Sequence, residues 1–182
     1  LQHAHNAVLR SMNRPDTREG VEKLIHKLRD RIPGVTIRST FIVGFPGETD
    51  THYQTLRSFV EQQRFDKVGI FTYSEEEDTP AATMKQKVAE EVMQERYHDL
   101  MSLQSKISEE INIGLEGREL DVLIEGRDAE QQAIAVGRSY REAPEVDGQI
   151  YIEGDTESRV GDIVRVRLLQ GFTYDIVGER VH

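Results

Sequence analysis

Two stretches of this chain carry residues that could bind a ligand. In the first, Arg38-Ser39-Thr40-Phe41-Ile42-Val43 runs into Gly44-Phe45-Pro46-Gly47-Glu48-Thr49-Asp50. Alternation along an extended backbone puts Arg38, Thr40 and Ile42 on one face and Ile37, Ser39, Phe41 and Val43 on the other. An arginine on so apolar a strand needs an anionic partner, either a carboxylate of the protein or a carboxylate or phosphate of a ligand. Gly44 and Gly47 permit close backbone approach, Pro46 stiffens the turn, and Glu48 can accept hydrogen bonds there. The same residues have a plain structural meaning, in which Glu48, Thr49 and Asp50 cap a helix. Turn chemistry alone favours the cap, and the two roles are compatible.

In the second stretch Phe71 and Tyr73 stand two residues apart, so one strand face offers aromatic surface to a ring or to the core. Core packing is the default for Phe71; for Tyr73, beside Ser74 and the acids Glu75, Glu76, Glu77 and Asp78, ligand contact is a fair alternative. The acidic run could hold a cation or face a basic partner, although a solvated loop is its commonest meaning. Gln2 and His3, with His5 nearby, could be polar groups at the end of an upstream strand. Two histidines spaced HxH lack a third ligand, and no metal site is assigned to them. No residue is singled out as catalytic.

The elements that must position these groups follow from periodicity. Asn6–Met12 suggests a short helix, broken at Arg14-Pro15. Val21, Leu24, Ile25, Leu28 and Ile32 fall at helical spacing and predict a helix over 17–32, with Thr17 as a weak cap and Pro33-Gly34 as the stop. The β-branched run 35–43 predicts a buried strand; Tyr53, Leu56, Phe59 and Val60 predict a helix to about Gln63; and 67–74 predicts a second strand. Helix, strand, helix, strand with short connections indicates βα units around a parallel sheet. Apolar residues at spacings of three and four predict one long helix over 88–113. Beyond Gly114 five short β-rich runs separated by Gly and Asp predict a small antiparallel barrel. The expected organisation is an α/β part over 1–87, a connecting helix over 88–114 and an all-β part over 115–182.

Charge and composition narrow the partners. The net charge of −10 is concentrated late: residues 115–182 carry 15 acids against 8 bases, all of them Arg. Nucleic acids are bound chiefly by Lys and Arg displacing counterions from phosphates, so direct RNA binding by this acidic part is the weaker expectation and a basic protein the stronger. No apolar run reaches the roughly 20 residues of a membrane helix, so no membrane partner is expected. The absence of cysteine excludes a disulfide, a thiolate nucleophile or a thiolate-held cluster within these residues. The opening LQHAHN has neither Met nor a signal-peptide pattern and reads as a cut inside a longer protein.

Four segments together carry a family: LQHAHNAVLRSMNRPDT, RSTFIVGFPGETD, VGIFTYSEEEDTPAA and GRSYREAPEVDG. In order and spacing they resemble the radical S-adenosylmethionine methylthiotransferases. Arg38-Ser39-Thr40, the acidic run before Thr79-Pro80, and Ala143-Pro144-Glu145-Val146-Asp147-Gly148 resemble the type that modifies the β-carbon of an aspartate in a basic small-subunit ribosomal protein, free or on the assembled subunit. The type that modifies an adenosine of tRNA is the alternative, and a non-catalytic interaction fragment a third.

The resemblance implies an α/β plus all-β chain, the C-terminal part of a radical SAM (partial TIM) barrel followed by a five-stranded, OB-like TRAM barrel. LQH would end the fourth barrel strand, Ile42 to Glu48 would follow the fifth, and Phe71 to Ser74 would end the sixth. Gln2, His3, Arg38, Thr40, Ile42, Gly44, Glu48, Phe71 and Tyr73 would then line an S-adenosylmethionine pocket at the strand ends. Glu75, Glu76, Glu77, Glu145 and Asp147 would dock the substrate. The family is cytoplasmic and uses two 4Fe-4S clusters, whose electron cleaves adenosylmethionine to a radical that abstracts the substrate hydrogen. The cluster-binding cysteines are absent here, so the isolated chain is expected to be inactive.

Overall fold

In the first three helices an amide of the opening turn finds its acceptor in the side chain of the residue just before the helix, which explains where they begin. His5 accepts from the Ala7 N–H to open α1 (Asn6–Ser11), and Thr17 accepts from Gly20, at 3.2 Å, to open α2 (Arg18–Arg31). In the computed structural model residues 1–181 are described. Gly34, at φ +77°, turns the chain after α2. Strand β1 (Arg38–Val43) follows, then α3 (Asp50–Gln63) and β2 (Lys67–Thr72). β1 and β2 are parallel, with Arg38 opposite Lys67 and Val43 opposite Thr72. On the other side of β1 the Gln2 carbonyl accepts from the Ile42 N–H, so the first residues run alongside without forming a regular strand.

The alternation expected on β1 is observed: Ser39, Phe41 and Val43 are buried, whereas Arg38 is exposed and Thr40 and Ile42 are half-buried. Phe41, Phe59 and Phe65 meet edge-on or tilted at 5.8–6.3 Å between ring centroids and form the aromatic centre of this core. α4 (Glu90–Ile113) is the long helix expected from periodicity. The chain groups into two compact units that divide within α4, after Gln104. The first part of α4 belongs with the α/β unit because Tyr53 and Arg57 of α3 both reach its Asp99, at 2.6 and 2.9 Å.

The second unit contains β3 (Glu119–Arg127), β4 (Ala135–Arg138), β5 (Ile150–Glu153), β6 (Ile163–Gly171) and β7 (Ile176–Arg180). They close into a barrel in the order β3-β4-β5-β7-β6 around Val122, Ile124, Ile150, Ile152, Val166, Leu168 and Ile176. The expectation of a wholly antiparallel barrel is corrected here, because β5 and β7 are parallel. A closed ring with an odd number of strands cannot alternate direction throughout, so one neighbouring pair must run the same way. The other four pairs are antiparallel.

Gly137 marks the tightest approach between β3 and β4. A Cβ there would lie 2.3 Å from the Leu123 carbonyl oxygen and 2.9 Å from Val122 Cγ1, whereas at Gly126 it would meet nothing within 4 Å. Gly137→Ala should therefore cost about 1–3 kcal/mol, the range for overpacking, and Gly126→Ala much less. Urea unfolding followed by far-ultraviolet circular dichroism measures both.

Candidate ligand site at the strand ends

β1 and β2 end side by side, and each continues into a turn. The Tyr73 N–H donates to the Val43 carbonyl, which keeps the two strand ends in step. A cavity of about 560 Å³ opens beside them, lined by Gln2, Ile42, Phe45, Phe71 and Tyr73 together with Ser11–Arg14 and Thr79–Ala81. A second, of about 410 Å³, is lined by Gly44, Tyr73, Glu75, Lys87, Glu90 and Met93. Thr72, Tyr73 and Ser74 line both. Tyr73 packs edge-on against Phe45, and its buried hydroxyl has no hydrogen-bond partner. A buried hydroxyl in that state is a cost unless a ligand or water satisfies it.

Gln2, Ile42, Gly44, Phe71 and Tyr73 thus come together from three separate stretches. Phe71 departs from its default of core packing. It is 58% exposed, because the alternation that buries Ile70 turns Phe71 to the face away from the helices. Thr40 shares that face, opposite Gly69. Arg38 stands at the other end of β1 and is exposed; Arg38 and Thr40 are not among the residues lining either cavity.

His3 and Glu48 lie behind the rim. His3 is fully buried, its Nδ1 accepts from the His5 N–H at 2.9 Å, and its Nε2 is 3.4 Å from Glu48 Oε2. Glu48 does not cap α3, so that part of the sequence reading is revised. Thr49 is the cap: its hydroxyl accepts from the His52 N–H while His52 Nδ1 accepts from the Thr49 N–H. Glu48 turns inward instead, accepting from the Gly44 N–H at 3.1 Å and from Arg96 Nη1 at 2.8 Å. Asp50 takes Arg96 Nη2 at 2.6 Å.

Sequence reading missed Arg96. A signal was present, since Arg96 falls on the buried stripe of α4 with Met93, Leu100 and Ile107. A charge on such a stripe implies a buried partner.

Nearby, burial pushes the Tyr53 hydroxyl far above its usual range, and the adjoining Asp99 carboxylate pushes it further. Asp99 itself is lowered: burial opposes its charge, but hydrogen bonds from Tyr53 and Arg57 outweigh that. A raised tyrosine favours the folded state fully below the unfolded value of about 10 and loses that contribution as pH rises beyond it. Tyr53 should ionise only well above the usual tyrosine range, and its titration should coincide with alkaline unfolding. Absorbance at the phenolate band during a pH titration, compared with Tyr53→Phe, reads this out.

The acids proposed for docking have different surroundings. Glu75 pairs with Lys87, whereas Glu76 and Glu77 are exposed. Glu145 is exposed at φ +61°, at the tip of a loop that Asp147 closes by accepting from the Ala143 N–H at 2.8 Å. Among the described residues no group of three or more His, Cys, Asp or Glu could hold a metal ion, and no helix is long and apolar enough to cross a membrane.

The barrel's closure around one apolar core agrees with a match of residues 117–181 to the family described as TRAM domain. Residues 117–181 are a TRAM domain. Over its whole length the chain, this domain included, resembles the C-terminal portion of proteins described as ribosomal protein uS12 methylthiotransferase RimO. It is 47% identical over 181 residues to the one from Syntrophotalea carbinolica, which covers 100% of this chain and 40% of that protein. The relatives from Desulforamulus reducens and Natranaerobius thermophilus are 44% and 46% identical over 179 residues, covering 98% of this chain and 40% of each protein. The chain therefore spans about two-fifths of the length of the curated relatives it matches.

Proposed function

We propose that this chain is part of a cytoplasmic radical S-adenosylmethionine methylthiotransferase that modifies the β-carbon of an aspartate in ribosomal protein uS12. The observation that carries the reading is the similarity across the whole chain to proteins bearing that description, at 43–47% identity. The convergence of Gln2, Ile42, Gly44, Phe71 and Tyr73 on the strand ends supports it further.

The residues suit an adenosyl group. Ile42, Phe45 and Phe71 offer apolar and aromatic surface to a purine ring, and the unpaired Tyr73 hydroxyl offers a hydrogen bond. Gly44 lines the second cavity beside Met93, which fills the place a Cβ would take. When bound beside a reduced 4Fe-4S cluster, adenosylmethionine supplies the hydrogen-abstracting radical. Two such clusters serve the family, and their thiolates come from outside this cysteine-free chain. This chain's own part is to bind and orient adenosylmethionine and to shield it from water. By itself the chain should show no turnover.

The TRAM domain and the acidic loop after β2 dock the substrate in this reading. Uneven charge supports a basic protein over RNA, and Glu76, Glu77 and Glu145 present their carboxylates outward. Asp147 acts there by holding the Glu145 loop. Reversing Glu76, Glu77 and Glu145 to Lys together in the whole enzyme should raise KM for uS12 by about tenfold, the scale of one to two kcal/mol of lost charge complementarity, with adenosylmethionine affinity unchanged. Mass spectrometry of the uS12 aspartate in cells lacking the gene, then complemented, tests the reaction itself. Salt-sensitive binding of tRNA without binding of uS12 would instead support the adenosine-modifying type.

A further inference from the structure

We infer that Arg96 on α4 is a positioning residue for the adenosylmethionine site, setting the geometry of the Gly44 to Asp50 turn from behind. This rests on the function proposed above and adds a residue that lines neither cavity. Arg96 is 6% exposed, yet it lies on a helix outside the strands that bear the site. Its two terminal nitrogens go to two points of the turn: Nη1 donates to Glu48 Oε1 at 2.8 Å and approaches the Glu48 carbonyl at 3.3 Å, and Nη2 donates to Asp50 Oδ1 at 2.6 Å. The guanidinium also lies over the Tyr53 ring, 5.5 Å from its centroid. Glu48, so held, keeps its other oxygen on the Gly44 N–H at 3.1 Å.

Gly44 is where this matters. It lines the smaller cavity at φ +79°, a left-handed conformation open to glycine. The link from Arg96 through the Glu48 carboxylate to the Gly44 amide therefore fixes the direction in which the turn leaves β1. A planar fork spans the two acceptors; a lysine ammonium, a single point charge, cannot hold both in the same geometry. Fixing a rim in its binding conformation before the ligand arrives lowers the ordering cost of binding.

The test pairs a local readout with a ligand readout. Hydrogen exchange is measured on this chain for peptides covering 42–48, with α2 peptides as internal reference, in wild type, Arg96→Lys and Arg96→Met. Arg57→Met is the control, because it weakens the α3–α4 contact through Asp99 without touching the turn. S-adenosylhomocysteine affinity is then measured on the whole enzyme carrying the same substitutions.

Arg96→Lys should speed exchange of the Gly44 amide by about tenfold or more and weaken S-adenosylhomocysteine by a similar factor, the scale of one lost charge-assisted hydrogen bond, while Arg57→Met changes neither. If Arg96→Met does not fold, Arg96→Lys decides alone. Unchanged exchange at 42–48, exchange raised equally in α2, or a loosened turn with unaltered affinity would each overturn the inference. Failure of the wild-type enzyme to bind S-adenosylhomocysteine would instead overturn the function proposed above, and the exchange result would still decide whether Arg96 holds the turn.

Discussion

Replacing Gly44 by alanine should destabilise the α/β unit by roughly 2–5 kcal/mol, combining a left-handed backbone penalty of about 1–2 with overpacking of about 1–3. The backbone at Gly44 has φ +79°, and a Cβ there would sit 2.2 Å from Met93 Cγ and 2.4 Å from its Sδ. Met93 is 9% exposed but flexible and borders the 410 Å³ cavity, so movement of its thioether into that space should bring the steric part toward the lower end of its range. The two contributions separate experimentally. Met93→Ala in the Gly44→Ala background should recover the steric part relative to Met93→Ala alone, and the backbone part should remain. Urea midpoints for the four proteins of that cycle provide the check. A Gly44→Ala protein as stable as wild type would mean that the turn relaxes away from α4.

Glu48→Ala is the second large expected effect, at about 3–5 kcal/mol, because it leaves a buried charge without its partner. Glu48 and Arg96 side chains are 0% and 6% exposed. The Gly44 N–H loses its acceptor as well. Asp50, whose side chain is 93% exposed, still pairs with Arg96 and should bring the loss toward the lower end of the range. Glu48→Gln keeps an acceptor for Gly44 but not the charge and should fall between. Replacing both members, as Glu48→Met with Arg96→Met, should cost much less than the sum of the single changes, since a buried ion pair exchanged for apolar packing is often near neutral. Thermal unfolding across the set measures the coupling; additive losses would show that Glu48 and Arg96 act independently. The double variant would nonetheless be expected to bind S-adenosylhomocysteine poorly, because stability and rim geometry are different demands on the same contact.

Much of the fold was legible because it depends on local period and local hydrogen bonding. The alternation of Ser39, Phe41 and Val43 against Arg38, Thr40 and Ile42 follows from the strand's twofold repeat, and the structure buries the first set. Thr17 could be recognised as a cap from its own type and position. The five strand segments after Gly114 were readable from β-branched runs and Gly breaks, and each forms a barrel strand. Rim residues converged for the same reason: successive βα units must end their strands on one side, so Ile42 and Phe71 become neighbours once both are placed on parallel strands.

What the sequence by itself determined, then, was the set of elements, the face each residue takes on its strand, and the turn at Gly44 to Glu48. Tertiary structure alone decided which distant groups those faces meet. Glu48 could have capped α3 as well as Thr49 on local grounds; it turns inward instead, to meet His3 and Arg96, the latter 48 positions away. Phe71 could have been core, and is exposed because the helices cover the opposite face of β2. The parallel β5–β7 pair arises from ring closure, a property of all five strands together and of none singly. A residue's neighbours along the chain set its backbone and direction. Its partner across the core is set only when packing brings two elements together, and that pairing gives the glycine turn its fixed shape.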